Sequence, residues 1–209
     1  MTTPPAQPKI YHITHVDNLP RIIQTGGIWC DAERIRQNLA VTGIGYSHIK
    51  ARRMQRSVPV AAKGVLGDYA PFYFCPRSPM LYTIHMGNVP EYQGGQSGIV
   101  HLVSTVETAW RLSRPWAFTN LHAELGYAEY FDDWSRHGEI DWEVIGSDSW
   151  GGDERRPKKM AEFLVHQFFS WTAVLGIGVI NQAMETRVAE ILASSVHKPQ
   201  VAVMRGWYY

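Results

Sequence analysis

Residues 161–181, AEFLVHQFFSWTAVLGIGVIN, read as strand-forming sequence throughout and contain one acidic side chain, Glu162. In a strand, side chains alternate, so Glu162 shares a face with Leu164 and His166 while Phe163 and Val165 fill the other. Desolvating a carboxylate is unfavourable by several kcal/mol unless a partner compensates. Two placements satisfy this. Glu162 either pairs with Lys159 or Arg156 of the preceding basic run RRPKK, or stands partly exposed at the mouth of a cleft roofed by the loop before it. A rim carboxylate would contribute little to stability.

Around this run the elements are short and do not alternate regularly. IYHIT (10–14) has strand propensity, and Asp17 is placed to cap the short helix that follows. WCDAERIRQN suits a second short helix. GIVHLVST (98–105) is a clean strand, QAMETRVAEILAS (182–194) an amphipathic helix, and QVAVMRGWYY closes as a strand. APFYFCPRSPMLYTIHM (70–86) offers two aromatic strand-like runs that Pro76 and Pro79 keep from joining. TAWRLSRP and LHAELGYAEYF carry helical patterns, with WAFTN as a strand end or turn between them. Residues 135–159 lack periodicity and are expected to form a long loop of the kind that usually carries function. Short strands mixed with short helices point to an α+β domain. With 209 residues, 45% of them hydrophobic, one core is expected over residues 9–209, after a flexible tail at 1–8.

A net charge of +1 excludes nucleic-acid capture by an overall positive field, so such a partner must meet local clusters. KARRMQR (50–56) and RRPKK (155–159) are the two candidates. Arg52 and Arg53 are adjacent and point differently, so one of them at most faces a given site. The 8 Trp and 10 Tyr supply flat surfaces for stacking. Two cysteines without close spacing suggest neither a disulfide framework nor a thiolate zinc site, and a reduced cytoplasmic setting is expected. In a strand His12 and Thr14 share one face and His15 points to the other, which argues against a His12/His15 metal pair; no metal is expected. The phosphate-loop, dinucleotide-fingerprint, nucleophile-elbow and zinc-protease patterns are all missing. Residue patterns alone therefore reach an α+β domain with a conspicuous Glu, a conspicuous His, two basic clusters and a long loop.

The ordered blocks HITHVDNLPRIIQTGG, IKARR, PFYFCPRSPMLY, KKMAEFLV and GWYY resemble the DarT family of DNA ADP-ribosyltransferases, the toxins of toxin–antitoxin modules. The resemblance runs from about residue 9 to the C-terminus. It implies an ADP-ribosyltransferase fold with a split, mostly antiparallel sheet and an NAD-binding cleft between its halves. It further implies transfer of ADP-ribose from NAD+ to thymidine in single-stranded DNA. His12, Ile13 and Thr14 would grip the nicotinamide end of NAD+, with Tyr73 beside it. Glu162 would be the catalytic glutamate, and Arg53 would assist deprotonation of the thymine ring nitrogen or stabilise the resulting anion. DNA would meet His122, Arg52, Arg77, Trp150, Arg155 and Arg156, the last three on the acceptor-presenting loop 150–159. Asn120 and Leu121 depart from the family pattern beside His122. A separate DarG-type antitoxin with ADP-ribose-removing activity is the implied partner. The alternatives are a transferase acting on protein or RNA, and a non-catalytic nucleic-acid-binding module.

Overall fold

A computed structural model describes residues 4–209; residues 1–3 of the expected tail lie outside the described residues. The strands are β1 (Lys9–His15), β2 (Gly27–Trp29), β3 (Tyr69–Tyr73), β4 (Ile99–Thr105), β5 (Trp116–His122), β6 (Tyr130–Phe131), β7 (Ala161–His166), β8 (Phe168–Ser170), β9 (Gly176–Val179) and β10 (Gln200–Val203). The helices are α1 (Leu19–Gln24), α2 (Asp31–Arg36), α3 (Ser47–Arg53), α4 (Pro79–His85), α5 (Val106–Trp110), α6 (Trp142–Gly146), α7 (Arg155–Lys159) and α8 (Gln182–Leu192).

Eight strands form one sheet in the order β10-β9-β4-β1-β3-β7-β5-β6, and β2 pairs with β8 in a small second sheet. Neighbours are antiparallel apart from β9 and β10, so the α+β, mostly antiparallel expectation holds. The large sheet is split at its middle. β1 pairs with β4 along all of Lys9–His15 but meets β3 only at Tyr11↔Tyr73. Pro71 explains the opening. Its carbonyl faces β1 and accepts from His12 Nδ1 at 2.9 Å, and on that same edge a proline has no N–H to offer a strand partner.

β7 lies in the interior of its half, and Ala161 to Val165 are all buried. Phe163 and Val165 enter the main core with Phe72, Phe118 and Phe169, whereas Leu164 joins a smaller cluster around Leu66 and Tyr69. The alternation read from the sequence is therefore correct.

Five local expectations change. MLYTIH is helix α4, because Ser78 accepts from Leu81 N at 3.2 Å as N-cap and Pro79 occupies the first turn, where proline is tolerated. LHAELGYAEYF is not helical: β5 runs on to His122, and a turn leads into β6. Asn120 and Glu129 close that hairpin through bonds of 2.8 and 3.0 Å. The 135–159 loop holds a 3-10 helix (Trp134–Glu139), α6 and α7. Asp141 caps α6, and the buried Lys159 ammonium donates to Ile145 O at 2.6 Å and Ser147 O at 2.7 Å, covering orphan carbonyls at the end of α6. Asp17 does not cap α1; it lies in a 3-10 turn (Val16–Asn18), and His15 Nδ1 accepts from its N–H. The closing strand ends at Val203 and is followed by a 3-10 turn (Arg205–Trp207).

Candidate active site

Where β1 and β3 separate, a cleft of about 280 Å³ opens. Its walls come from β1, the glycine-containing segment 42–46, α3, β3, the start of α4 and the end of β5, with Glu162 contributed by β7.

Glu162 is the second residue of β7, opposite Tyr73, and is only 2% exposed. Arg53, the last residue of α3, grips it as a fork: Nη1 donates to Oε1 at 3.0 Å and Nη2 to Oε2 at 2.9 Å. The backbone N–H of Ala123 donates to Oε1 at 3.1 Å. That N–H is available because the β5–β7 register shifts between Phe118 and His122. His122 Nε2 lies 3.8 Å from Oε1. Burial alone would raise the Glu162 pKa, but the Arg53 charge, His122 and the Arg53 and Ala123 hydrogen bonds outweigh it and hold the carboxyl below its ordinary value. Burial works against the charge of Arg53, and its contacts with Glu162 more than restore it. His122 is pushed below the ordinary histidine value, by burial first, with Glu162 opposing.

On the other wall, His12 must carry its proton on Nδ1, since Pro71 O can only accept. Nε2 is thereby left as an acceptor, and burial lowers the pKa of the ring. Tyr73 donates its hydroxyl towards Met80 Sδ at 3.6 Å, and burial, then the Glu162 charge, raise its pKa. Ile13 packs into the apolar cluster of Ile44, Leu81 and Ile84 beneath the cleft.

Glu162, Arg53, His12, Ile13, Thr14, Tyr73, His122 and Arg156 all line this cleft. Arg52, Arg77, Trp150 and Arg155 stand outside its lining. Arg52 pairs with Glu124 on the surface. Arg77 pairs with Asp148 at 3.0 Å and lies over the Tyr209 ring. Arg155 donates to Ser149 O at 3.0 Å, and Trp150 packs edge-on against Tyr82. Glu162 is not a rim residue, and neither Lys159 nor Arg156 is its partner: Arg53, 109 residues away, is.

Two residues escaped the sequence reading. Pro71 opens the sheet, and a proline inside an aromatic strand run was the available signal. Asn18 is buried and ties three segments together. Its Nδ2 donates to Thr14 Oγ1 and to Thr42 O, each at 3.0 Å, and its Oδ1 accepts from Thr42 N at 2.8 Å. These bonds fasten the glycine-containing segment to β1 over the cleft.

Residues 11–209 match the family described as ssDNA thymidine ADP-ribosyltransferase, DarT. The chain belongs to the DarT family. A DNA ADP-ribosyl transferase of Thermus aquaticus is 44% identical, over 98% of this chain and 90% of that protein. The solved structure of Thermus sp. 2.9 DarT in complex with ADP-ribosylated ssDNA superposes with a TM-score of 0.94 at 40% identity, covering 100% of this chain and 99% of that one. Thermus sp. 2.9 DarT in complex with NAD+ gives 0.88 at 37% identity, covering 99% and 100%. A DNA ADP-ribosyl transferase–DNA ADP-ribosyl glycohydrolase fusion protein of Thermosipho africanus aligns at 37% identity over 76 residues, 36% of this chain and 19% of that protein. Among the described residues, no cluster of three or more His, Cys, Asp or Glu side chains could hold a metal ion.

Proposed function

We propose that residues 9–209 act as one domain that transfers ADP-ribose from NAD+ to a thymine ring nitrogen in single-stranded DNA and releases nicotinamide. The observation that supports this best is the buried Glu162–Arg53 fork at the opening of the sheet, in a chain of the DarT family. That Thermus sp. 2.9 DarT is known in complex with NAD+ and with ADP-ribosylated ssDNA supports both reactants.

The cleft suits NAD+. It offers the β1 edge from His12 to Thr14, which lacks a strand partner among the described residues beyond Tyr11, together with the free Nε2 of His12 and the apolar wall of Ile13 and Tyr73. NAD+ supplies a ribose carbon that already bears a cationic leaving group. When that carbon–nitrogen bond breaks, its electron pair leaves with nicotinamide and positive charge grows on the ribose. Ionised Glu162 orients the ribose hydroxyls and stabilises this charge. Arg53 is held protonated by the carboxylate, so it stabilises the developing thymine anion and does not take the proton. His122, neutral through burial, accepts that proton. The freed nitrogen pair then forms the new bond to the ribose carbon.

The reacting edge of thymine is hidden in a duplex, which favours an unpaired strand. Arg156 on the cleft wall, with Arg52, Arg77, Arg155 and the Trp150 ring beyond it, supplies the acceptor side with phosphate and stacking contacts. Among the described residues no helix is long and apolar enough to cross a membrane; the proposed setting is the cytoplasm. A separate DarG-type antitoxin that removes ADP-ribose is the proposed partner, and the two-part name of the Thermosipho protein supports it.

The test is transfer of label from NAD+ to thymidine oligonucleotides, oligonucleotides lacking thymidine, RNA and protein, side by side. Label on the thymidine oligonucleotide alone is expected. Label on protein or RNA alone overturns the DNA reading. DNA affinity without nicotinamide release would make the chain a binding module.

A further inference from the structure

The closing block GWYY has no part in the chemistry above, yet its side chains reach deep into the fold. Trp207 stands edge-on to Tyr11 and His101, and its ring occupies the space over Gly178. The buried Tyr208 hydroxyl donates to Ile99 O at 2.9 Å. Gln96, itself buried, clasps the Tyr209 backbone on both sides: Oε1 accepts from Tyr209 N at 3.0 Å, and Nε2 donates to Tyr209 O. The Tyr209 ring is thereby delivered to a defined place beside the cleft.

There it meets two segments at once. Its hydroxyl donates to Arg77 O at 3.0 Å, bracing the turn that starts α4, the helix whose Met80 touches Tyr73. Its ring lies 5.0 Å from Tyr82 and 6.3 Å from Trp150, and Tyr82 and Trp150 lie 5.5 Å from each other. The Arg77 guanidinium sits 4.4 Å above the same ring while it pairs with Asp148. Tyr209 therefore holds the segment 148–150, at the head of the acceptor-side loop, through an aromatic and a charged arm.

We infer that Tyr209 is a positioning residue for acceptor binding: anchored by Gln96, it sets Trp150 and Asp148 of the acceptor-side segment against α4 and so fixes the surface that single-stranded DNA meets. The inference rests on the proposed function. Tyr209 makes no hydrogen bond to Glu162 or to the β1 edge, its polar contacts going to Gln96 and to the turn before α4, so its loss should be felt more on the DNA side than on the NAD+ side.

The experiment is steady-state transfer to a thymidine oligonucleotide by wild type, Tyr209→Ala, Tyr209→Phe, Trp150→Ala and the Tyr209→Ala/Trp150→Ala double variant. Tyr209→Ala should raise the KM for oligonucleotide about tenfold, since small displacements of positioning groups are costly. The KM for NAD+ should stay within about twofold. Tyr209→Phe, which keeps the ring under Trp150 and Arg77, should recover most of the loss. In the Trp150→Ala background the added effect of Tyr209→Ala should shrink below about twofold, because the two act through one contact. Equal rises in both KM values, a fall in kcat alone, or full additivity with Trp150→Ala would overturn the inference. If Tyr209→Ala does not fold, an unchanged oligonucleotide KM in Trp150→Ala would also overturn it. Failure of the wild type itself to label the oligonucleotide would instead overturn the proposed function.

Discussion

A carboxylate as buried as Glu162 would be driven towards its neutral form by desolvation, and the bidentate Arg53 fork with the Ala123 N–H reverses that tendency. Glu162→Gln keeps the size and removes the charge. We expect transfer to thymidine oligonucleotide to fall about 10²- to 10³-fold, the usual scale for losing one aimed electrostatic contact. Arg53 would be left without its counter-charge, so stability in urea at pH 7 should fall by about 3 kcal/mol; a rim carboxylate would have shown almost none. Because the carboxyl pKa is lowered on folding, its contribution is present above the ordinary value of 4.5 and is lost as the pH falls through the lower folded value. The acid-side decline should accordingly be shallower in the Gln variant. Activity has its own pH signature. His122 must be neutral and its pKa lies below the ordinary 6.5, so the acid limb of kcat/KM for oligonucleotide should have its midpoint below 6.5. An acid limb centred above 6.5 in the pH–rate profile would contradict the neutral role of His122. That Glu162 needs an answering partner was legible, since a lone acid in a strand-forming run demands one. Its partner was not, because Lys159 is spent on the carbonyls of α6 and the pairing cation comes from α3.

Elements were legible where local pattern and tertiary pairing agree, as in β1, β4, β7 and α8. They were misread where a cap or a distant partner decided the matter. Ser78–Pro79 starts a helix in a run whose aromatic content suggests a strand, and the Asn120–Glu129 clasp turns a helix-like run into a hairpin. The split sheet came only with the resemblance, although its cause, Pro71, stands in plain sight. Asn18 belongs to this scale because it joins β1 to the glycine-containing segment that walls the cleft. Asn18→Asp replaces its donor with an acceptor facing Thr42 O. We expect the KM for NAD+ to rise about tenfold, with that for oligonucleotide little changed. Isothermal titration with NAD+ should show the same weakening.

At the scale of the molecule, a net charge of +1 leaves DNA attraction to a few local cations. The slope of log affinity for an oligonucleotide against log salt should be roughly −2 to −3, and Arg156→Gln should reduce its magnitude by about 0.7. The packing of the C-terminal block makes a separate prediction. A Cβ at Gly178 would lie 2.3 Å from Trp207, so Gly178→Ala should lower stability by about 1–3 kcal/mol, read as a lower urea midpoint with unchanged slope. By itself the sequence determined the α+β class and the two-residue alternation that sets Glu162 apart from Phe163 and Val165. The order of its blocks also identified the family. Tertiary structure alone decided which strands part, that Glu162 is buried, and that Arg53 answers its charge. The physical reason is range. Strand periodicity records which way a side chain faces within its own element, whereas a partner 109 residues away exists only once α3, β5 and β7 are packed around one cleft.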